Sequence, residues 1–391
     1  MQPLKDIRVI EFCNVAAGPY CGMLLADMGA DVIKVEHPDG GDNMRAWPPI
    51  SDGYSENFAS INRNKRSVTL NLKAPDDLAR ARALIDSADV VLENNRPGVM
   101  ERLGLAYRDV SKGHPQLVYC SISAFGQDGP RSREAGYDLT LQAMSGVMSV
   151  TGEPAGNPVK CGVPLSDFAT GLYGAFAIAS ALREVAATGR GVHIDTSMLG
   201  SSLAISALQT SHYFGSGEDP MKLGSAHPRN APYEAFRVAD GHVAIAAGNN
   251  TLFARACEGI GREDLVGQTR FSTNVLRAEN QAELKAIFEG ALADKDVNTV
   301  LVTFRGLGVA CAPINSYSQA LADPQVAFMG WVRPLTLPGG HETRTFASPL
   351  RFNGKTADFY RCPPILGEHN DEVFSELAGH AALRGLTPKS L

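Results

Sequence analysis

A strand, a helix and a second strand follow one another at the start of the chain. "IRVIEF" (7–12) is a short apolar run with an acid near its end, "GPYCGMLLADMGA" (18–30) has helical spacing and a terminal Gly-Ala, and "DVIKVE" (31–36) is a second apolar run. Such a crossover joins parallel strands, because parallel neighbours need a connection of a dozen or more residues. The pattern returns with "RSVTLNL" (66–72), "PDDLARARALIDSA" (75–88), "DVVLEN" (89–94), "GVMERLGL" (98–105) and "QLVYCSISAFG" (116–126). The proline and the acids that open 75–88 are helix-start signals. The first part of the chain therefore reads as an α/β, doubly wound, Rossmann-like sheet.

The stretch 139–211 reads differently, with two helices rich in small residues, 167–187 and 197–213, and a short strand in "GRGVHIDTSM" (189–198) between them. "GSGEDPMKLGSAHPRNAP" (215–232) has linker composition, and "YEAFRVADGHVAIAAG" (233–248) reads as a hairpin around an Asp-Gly turn. Helices are expected at 250–260 and 281–307, strand-like segments at 331–352 and a terminal helix at 371–381.

With 42 acidic against 36 basic side chains, the net charge is −6. That argues against a general binder of nucleic acid or of anionic membranes, both of which need a basic surface, and is compatible with a local basic pocket for a phosphorylated ligand. "MQPLKDIRVIEF" has no secretory pattern, and no uninterrupted apolar segment reaches membrane-spanning length. The seven cysteines, at 13, 21, 120, 161, 257, 311 and 362, form no CxxC pair. They read as reduced thiols of a cytoplasmic protein, not as a disulfide frame or a zinc site.

Four features carry candidate chemistry. The loop "NVAAGPY" (14–20) places backbone N–H groups at a helix N-terminus, a natural anion site, or is an ordinary strand-to-helix turn. It lacks GxGxxG, so a nicotinamide cofactor is not supported. The cations Arg45, Lys65, Arg66, Lys73, Arg96 and Arg102 follow strand ends, where they read as an anion-binding edge or as ordinary surface. "GSAHPRNAPYEAF" (224–236) reads as a flap whose His227 and Arg229 hold a carboxylate, or as a linker. Asp167, among the small apolar residues of "PLSDFATGLYGAFA", is a helix cap, as Ser166 is, or a nucleophile kept ionised by a helix N-terminus. There is no GxSxG elbow and no HExxH.

Taken in order, several segments resemble the class III CoA-transferases, the formyl-CoA transferase and CaiB/BaiF family, to which alpha-methylacyl-CoA racemase is related. The resemblance spans essentially the whole chain. It rests on "PLKDIRVIEFCNVAAGPYCGMLLADMGADVIKVEHPDGGD" (3–42), "NRNKRSVTLNLKAPD" (62–76), "ADVVLENNRPGVMERLGL" (88–105), "SISAFGQDGP" (121–130), "AGYDLTLQAMSGVMSVTG" (135–152), "PLSDFATGLYGAFAI" (164–178) and "GRGVHIDTSML" (189–199). It implies that Asp167 is the nucleophile. It implies CoA-binding positions at Val15, Ala16, Ala17, His37, Leu70, Lys73, Asn94, Asn95, Arg96, Arg102, Leu103 and Tyr137. His37 stands where formyl-CoA transferase has an arginine, and a neutral imidazole is a weaker phosphate partner than guanidinium.

Tyr137 separates two activities within the resemblance. Racemases carry a catalytic histidine in "GHD"; here the stretch reads "GYD". Returning a proton across an alpha carbon needs two bases, and a phenol with a pKa of about 10 is poorly suited. Transfer of CoA from an acyl-CoA to a free acid through an aspartyl-CoA intermediate is the leading reading. A racemase, an epimerase or an intramolecular CoA-transferase is the alternative. "SAHPRNAPYEAF" resembles members acting on dicarboxylates such as succinate, glutarate, mesaconate or itaconate, with His227 and Arg229 on the distal carboxylate. Ala169, Thr170 and Gly171 would leave room for a thioester beside Asp167. The resemblance also implies an interlocked homodimer, with CoA and acyl-CoA as substrates and no permanently bound cofactor or metal. It implies a large CoA-binding domain beginning with 1–215, a small α+β domain at 225–325, and a return to the large domain at 330–391.

Overall fold

The computed structural model describes residues 1–357 and 360–383. Six runs form one parallel sheet, the inner ones rich in β-branched and apolar residues. They are β1 (Arg8–Phe12), β2 (Asp31–Glu36), β3 (Lys65–Thr69), β4 (Val90–Glu93), β5 (Val118–Ser123) and β6 (Val192–Ser197). Their order is β3-β2-β1-β4-β5-β6, with every neighbouring pair parallel. This is the doubly wound arrangement expected from the repeated strand-helix-strand pattern.

The inner strands β1, β2, β4 and β5 carry neighbouring apolar residues because both faces are covered there. Ile10, Ile33, Val91 and Tyr119 face one core with Leu84 and Ile85 of helix α2 (Pro75–Asp86). Val9, Val32, Val90 and Val118 face the other, with Cys21 and Leu25 of α1 (Ala17–Asp27). Side chains alternate between the faces with the period of two that a strand imposes. Val373 and Leu377 of the C-terminal helix (Asn370–Leu383) join the α2 core. A short antiparallel pair, Val332–Thr336 with Glu342–Phe346, also belongs to this unit.

Three further helices serve the site: α3 (Asp138–Met144), α4 (Leu165–Thr188) and α5 (Met198–Ile205), the last followed by α6 (Ala207–Ser216). The single helix expected at 197–213 is broken at Ser206, whose hydroxyl donates to the carbonyl of Ser202 at 2.8 Å. Helix α4, with 24 residues, is by length and composition apolar enough to cross a membrane. Its charge-free run is shorter than the helix, since Asp167 stands near its start and Arg183 and Glu184 near its end. The core helix of a globular unit has the same composition, and Ile178 of α4 sits in the α1 core.

The chain divides into two compact units: 1–147, 160–217 and 327–391 form the first, and 148–159 with 218–326 form the second. In the second unit, β7 (Tyr233–Val238), β8 (Gly241–Ala246) and β9 (Ala310–Pro313) form an antiparallel sheet ordered β9-β8-β7. Helices Asn250–Gly259, Gln281–Leu292 and Val297–Gly306 enclose its core of Phe236, Phe253, Phe288 and Phe304. The helix expected at 281–307 is two, because Asp296 caps the second by accepting from the N–H of Thr299 at 2.7 Å.

Candidate active site

The order of the sheet reverses between β1 and β4, and ligands of such folds sit in the crevice beyond the strand ends there. Two asparagines stitch those ends together. The N–H of Asn14 donates to Asn94 Oδ1 at 2.9 Å, and Asn94 Nδ2 donates back to the carbonyl of Asn14 at 2.8 Å. Asn95 Nδ2 adds a bond to the carbonyl of Phe12 at 3.2 Å. The chain then enters α1 through Val15, whose φ is +66°. Its N–H donates to both carboxylate oxygens of Asp42, at 3.0 and 3.2 Å.

Helix α4 lies directly on the first turns of α1. A Cβ at Gly171 would sit 2.8 Å from the carbonyl oxygen of Ala17, so only glycine permits this approach. Gly171 therefore packs against protein and leaves no room for a thioester; Ala169 and Thr170 are likewise buried. Asp167 is one turn earlier on the same face of α4, which carries it over the N-terminus of α1.

A cavity of about 260 Å³ lies where these elements meet. Val15, Ala16, Ala17, Asn94, Asn95, Arg96, Tyr137 and Asp167, all singled out from sequence, line it together, with Ser123, Ala124 and Met198. Neither Ser166 nor Asp167 caps α4: the helix begins at Leu165, behind Pro164, without a side-chain cap. The carboxylate that serves this end is Asp138 of α3, whose Oδ1 accepts from the N–H of Ser166 at 2.9 Å and whose Oδ2 accepts from Gln142 Nε2 at 2.8 Å. Burial and then the charge of Asp138 raise the Asp167 pKa from the usual 3.8 to about 7. The helix N-terminus was expected to depress it. Desolvation and a like charge outweigh the dipole here.

The remaining candidates divide. Arg96 also lines a second cavity, of about 730 Å³, together with Arg102 and Arg133. His37, Leu70, Lys73 and Leu103 line neither cavity. Leu70 is buried in the α2 core and Leu103 packs against it. His37 and Lys73 are exposed, and His37 Nδ1 accepts from the N–H of Asp39 at 3.1 Å. Three of the six cations read as an anion-binding edge are instead spent inside the protein. Lys65 is fully buried on Glu11 at 2.9 Å, Arg66 pairs with Asp31 and Glu376, and Arg45 pairs with Glu36. Arg96, Arg102 and Lys73 stay exposed. His227 and Arg229 belong to the second unit, where His227 Nδ1 accepts from the N–H of Arg229 at 3.1 Å and the ring lies 5.1 Å from that of Tyr233. Partial burial and Arg229 lower the His227 pKa.

Sequence reasoning passed over Asp138 and Asp42, although both stand in quoted segments. The available signals were the acid after Tyr137 in "GYD" and the acid closing "PDGGD". It also passed over a cluster beneath the Arg96 loop. There His193 Nε2 lies 3.0 Å from Ser121 Oγ, and burial pushes the Glu93 pKa up to about 7.

A strand-to-helix loop without GxGxxG, a half-buried carboxylate above it and exposed arginines beside it suit an anionic acyl carrier. Comparison with known proteins agrees. The family model described as CoA-transferase family III matches residues 4–370. A succinate–glutarate CoA-transferase of Agrobacterium fabrum is 40% identical over 382 residues, 96% of each chain. A succinyl-CoA:mesaconate CoA-transferase of Haloarcula marismortui is 36% identical over 386 residues, again 96% of each. Among solved structures, a CaiB/BaiF family protein from Brucella suis matches with a TM-score of 0.86 at 38% identity, covering 96% of this chain and 99% of that one. On sequence, fold and the match over nearly its whole length, this chain belongs to CoA-transferase family III.

Proposed function

We propose that this enzyme moves coenzyme A between dicarboxylic acids, with Asp167 as the covalent carrier. The observation that carries the proposal is the placement of the Asp167 carboxyl in one cavity with Ala16 and Ala17 at the start of α1. The first N–H groups of a helix have no intrahelical acceptor, so this end offers donors to an oxyanion formed beside Asp167.

A carboxylate oxygen of Asp167 attacks the thioester carbonyl of the donor and expels the CoA thiolate, leaving a mixed anhydride. The thiolate attacks the aspartyl carbonyl of that anhydride and expels the donor acid, giving aspartyl-CoA. The acceptor carboxylate attacks aspartyl-CoA and releases thiolate. Thiolate then attacks the acceptor carbonyl, forming the new acyl-CoA and returning Asp167 as carboxylate. Every step exchanges one acyl bond for another, so the thioester's energy is retained. Water must be excluded throughout.

In this reading Val15, Ala16, Ala17, Asn94, Asn95 and Tyr137 hold the thioester end of CoA. Arg96, Arg102, Lys73 and His37 serve its phosphates and nucleotide, with Leu70 and Leu103 supporting from the core. His227 and Arg229 take the distal carboxylate of the acid. The names of the relatives, succinate–glutarate and succinyl-CoA:mesaconate CoA-transferase, support dicarboxylates. The enzyme works as a homodimer, without a permanently bound cofactor and away from membranes. Exposed Leu172 and Phe176 on α4, with Leu208 and Phe214 on α6, support an apolar partner surface. Seven free thiols fit a reducing cytoplasm.

The test is a steady-state screen with succinyl-CoA as donor and a panel of monocarboxylates and dicarboxylates as acceptors. Glutarate or mesaconate should exceed acetate by at least about tenfold, which corresponds to one charged hydrogen-bonded contact. Arg229→Ala should erase that preference; an unchanged preference in the variant sinks the carboxylate role.

A further inference from the structure

Val15 is the oddest residue of the cavity. A β-branched side chain at φ +66° occupies the left-handed region that glycine, asparagine and aspartate otherwise fill. Such a residue persists only where its surroundings over-determine it, and these outliers gather at functional sites. The surroundings here can be named. Asp42, fully buried, takes the Val15 N–H on both oxygens and also accepts from the N–H of Met44 at 3.0 Å. Lys34, equally buried, reaches Asp42 Oδ2 at 2.9 Å and the carbonyl of Cys13 at 2.7 Å. One ammonium thus grips the backbone two residues before Val15 and, through Asp42, Val15 itself. Glu11 balances Lys34 from the sheet at 3.0 Å. Burial pushes the Asp42 pKa up, but the Lys34 charge and the N–H groups of Met44 and Val15 more than offset it, so the carboxylate stays below its usual range.

We propose that the buried Lys34–Asp42 pair is a positioning clamp for the transfer reaction. It holds Val15 left-handed and thereby aims the N–H groups of Ala16 and Ala17 at the carbonyl carried by Asp167. Neither Lys34 nor Asp42 touches substrate; both act through the loop. The fold itself needs no valine here, since glycine adopts this conformation without strain. Keeping the side chain that lines the cavity is what makes the clamp necessary. The inference rests on the CoA-transferase reading above and adds to it the device that sets the oxyanion geometry.

The experiment compares wild type, Asp42→Asn, and Asp42→Asn combined with either Val15→Gly or Val15→Ala, assayed with succinyl-CoA and glutarate. Asp42→Asn should lower kcat/KM about tenfold to a hundredfold, mainly in kcat, as the strain is no longer held. Val15→Gly should recover at least about fivefold of that loss, because glycine takes the left-handed conformation unaided. Val15→Ala should recover none, since it shortens the side chain but keeps the Cβ that opposes φ > 0. Equal recovery by glycine and alanine, recovery by neither, or wild-type kcat/KM in Asp42→Asn overturns the clamp. Should Asp42→Asn alone be insoluble, the glycine double variant must be soluble and active where the alanine one is not; an insoluble or inactive glycine double variant overturns it equally. Wild-type protein that transfers no CoA refutes the transferase reading itself, whereas active wild type with an unrescued Asp42→Asn refutes only the clamp.

Discussion

Asp167→Asn should make the protein more stable, and increasingly so as pH rises. The carboxyl is held at a pKa of about 7, against a usual 3.8, by burial first and Asp138 second. The folded state therefore keeps its proton in a range where the unfolded chain has lost it. Between the two values, raising the pH costs stability at about 1.4 kcal/mol per pH unit, because the folded state binds more protons. The stabilisation is complete below about pH 4 and gone above about pH 7, for an upper limit of about 4 kcal/mol. Asparagine preserves the shape and never ionises. The advantage of Asp167→Asn should grow by about 2.5 kcal/mol between pH 5 and pH 8. Urea unfolding of both proteins, followed by circular dichroism across that range, measures it. Parallel stability curves would refute the reasoning, since they would mean that Asp167 ionises as easily folded as unfolded.

The same carboxyl must be ionised to attack, so kcat/KM of the wild type should rise with pH through about 7. Asp138→Asn removes the like charge, and the acid limb of that profile should move to lower pH; an unmoved limb would leave burial as the whole cause. Arg96→Ala and Arg102→Ala should each raise KM for the acyl-CoA by about tenfold at low salt and by less at high salt, the mark of an exposed charge contact. Gly171→Ala puts a Cβ 2.8 Å from the Ala17 carbonyl and should cost about 1–3 kcal/mol in urea unfolding, with a fall in kcat as α4 is pushed from α1.

The strand-helix-strand repeat was readable because the central strands are buried on both faces and so read as unbroken apolar runs. Val9, Val32 and Val90 stand side by side across the sheet. The break at Ser206 was not readable, since Ser180 and Ser202 make the same back-bond to the preceding turn inside unbroken helices. Charge was the hardest to read. Lys65 and Arg66 look like loop cations in "NRNKRSVTLNL", yet they end in buried or half-buried ion pairs with residues from other elements. What distinguishes them from Arg96 is the long-range placement of Glu11 and Glu376, which spacing does not encode. Asp167 shows the same limit. Its position on a helix start was legible, but its raised pKa depends on α1, α3 and α4 closing around it. Asp42 and Lys34 lie 27 and 19 residues beyond Val15 in the chain, and only the fold reveals that they act on it.

The central claim is that Asp167 carries CoA covalently. Incubation of the protein with succinyl-CoA without acceptor, followed by intact-protein mass measurement, tests it directly. The account predicts a species heavier by coenzyme A less one water, lost on adding glutarate and absent from Asp167→Ala. Turnover without that species, or the same adduct in Asp167→Ala, would contradict it.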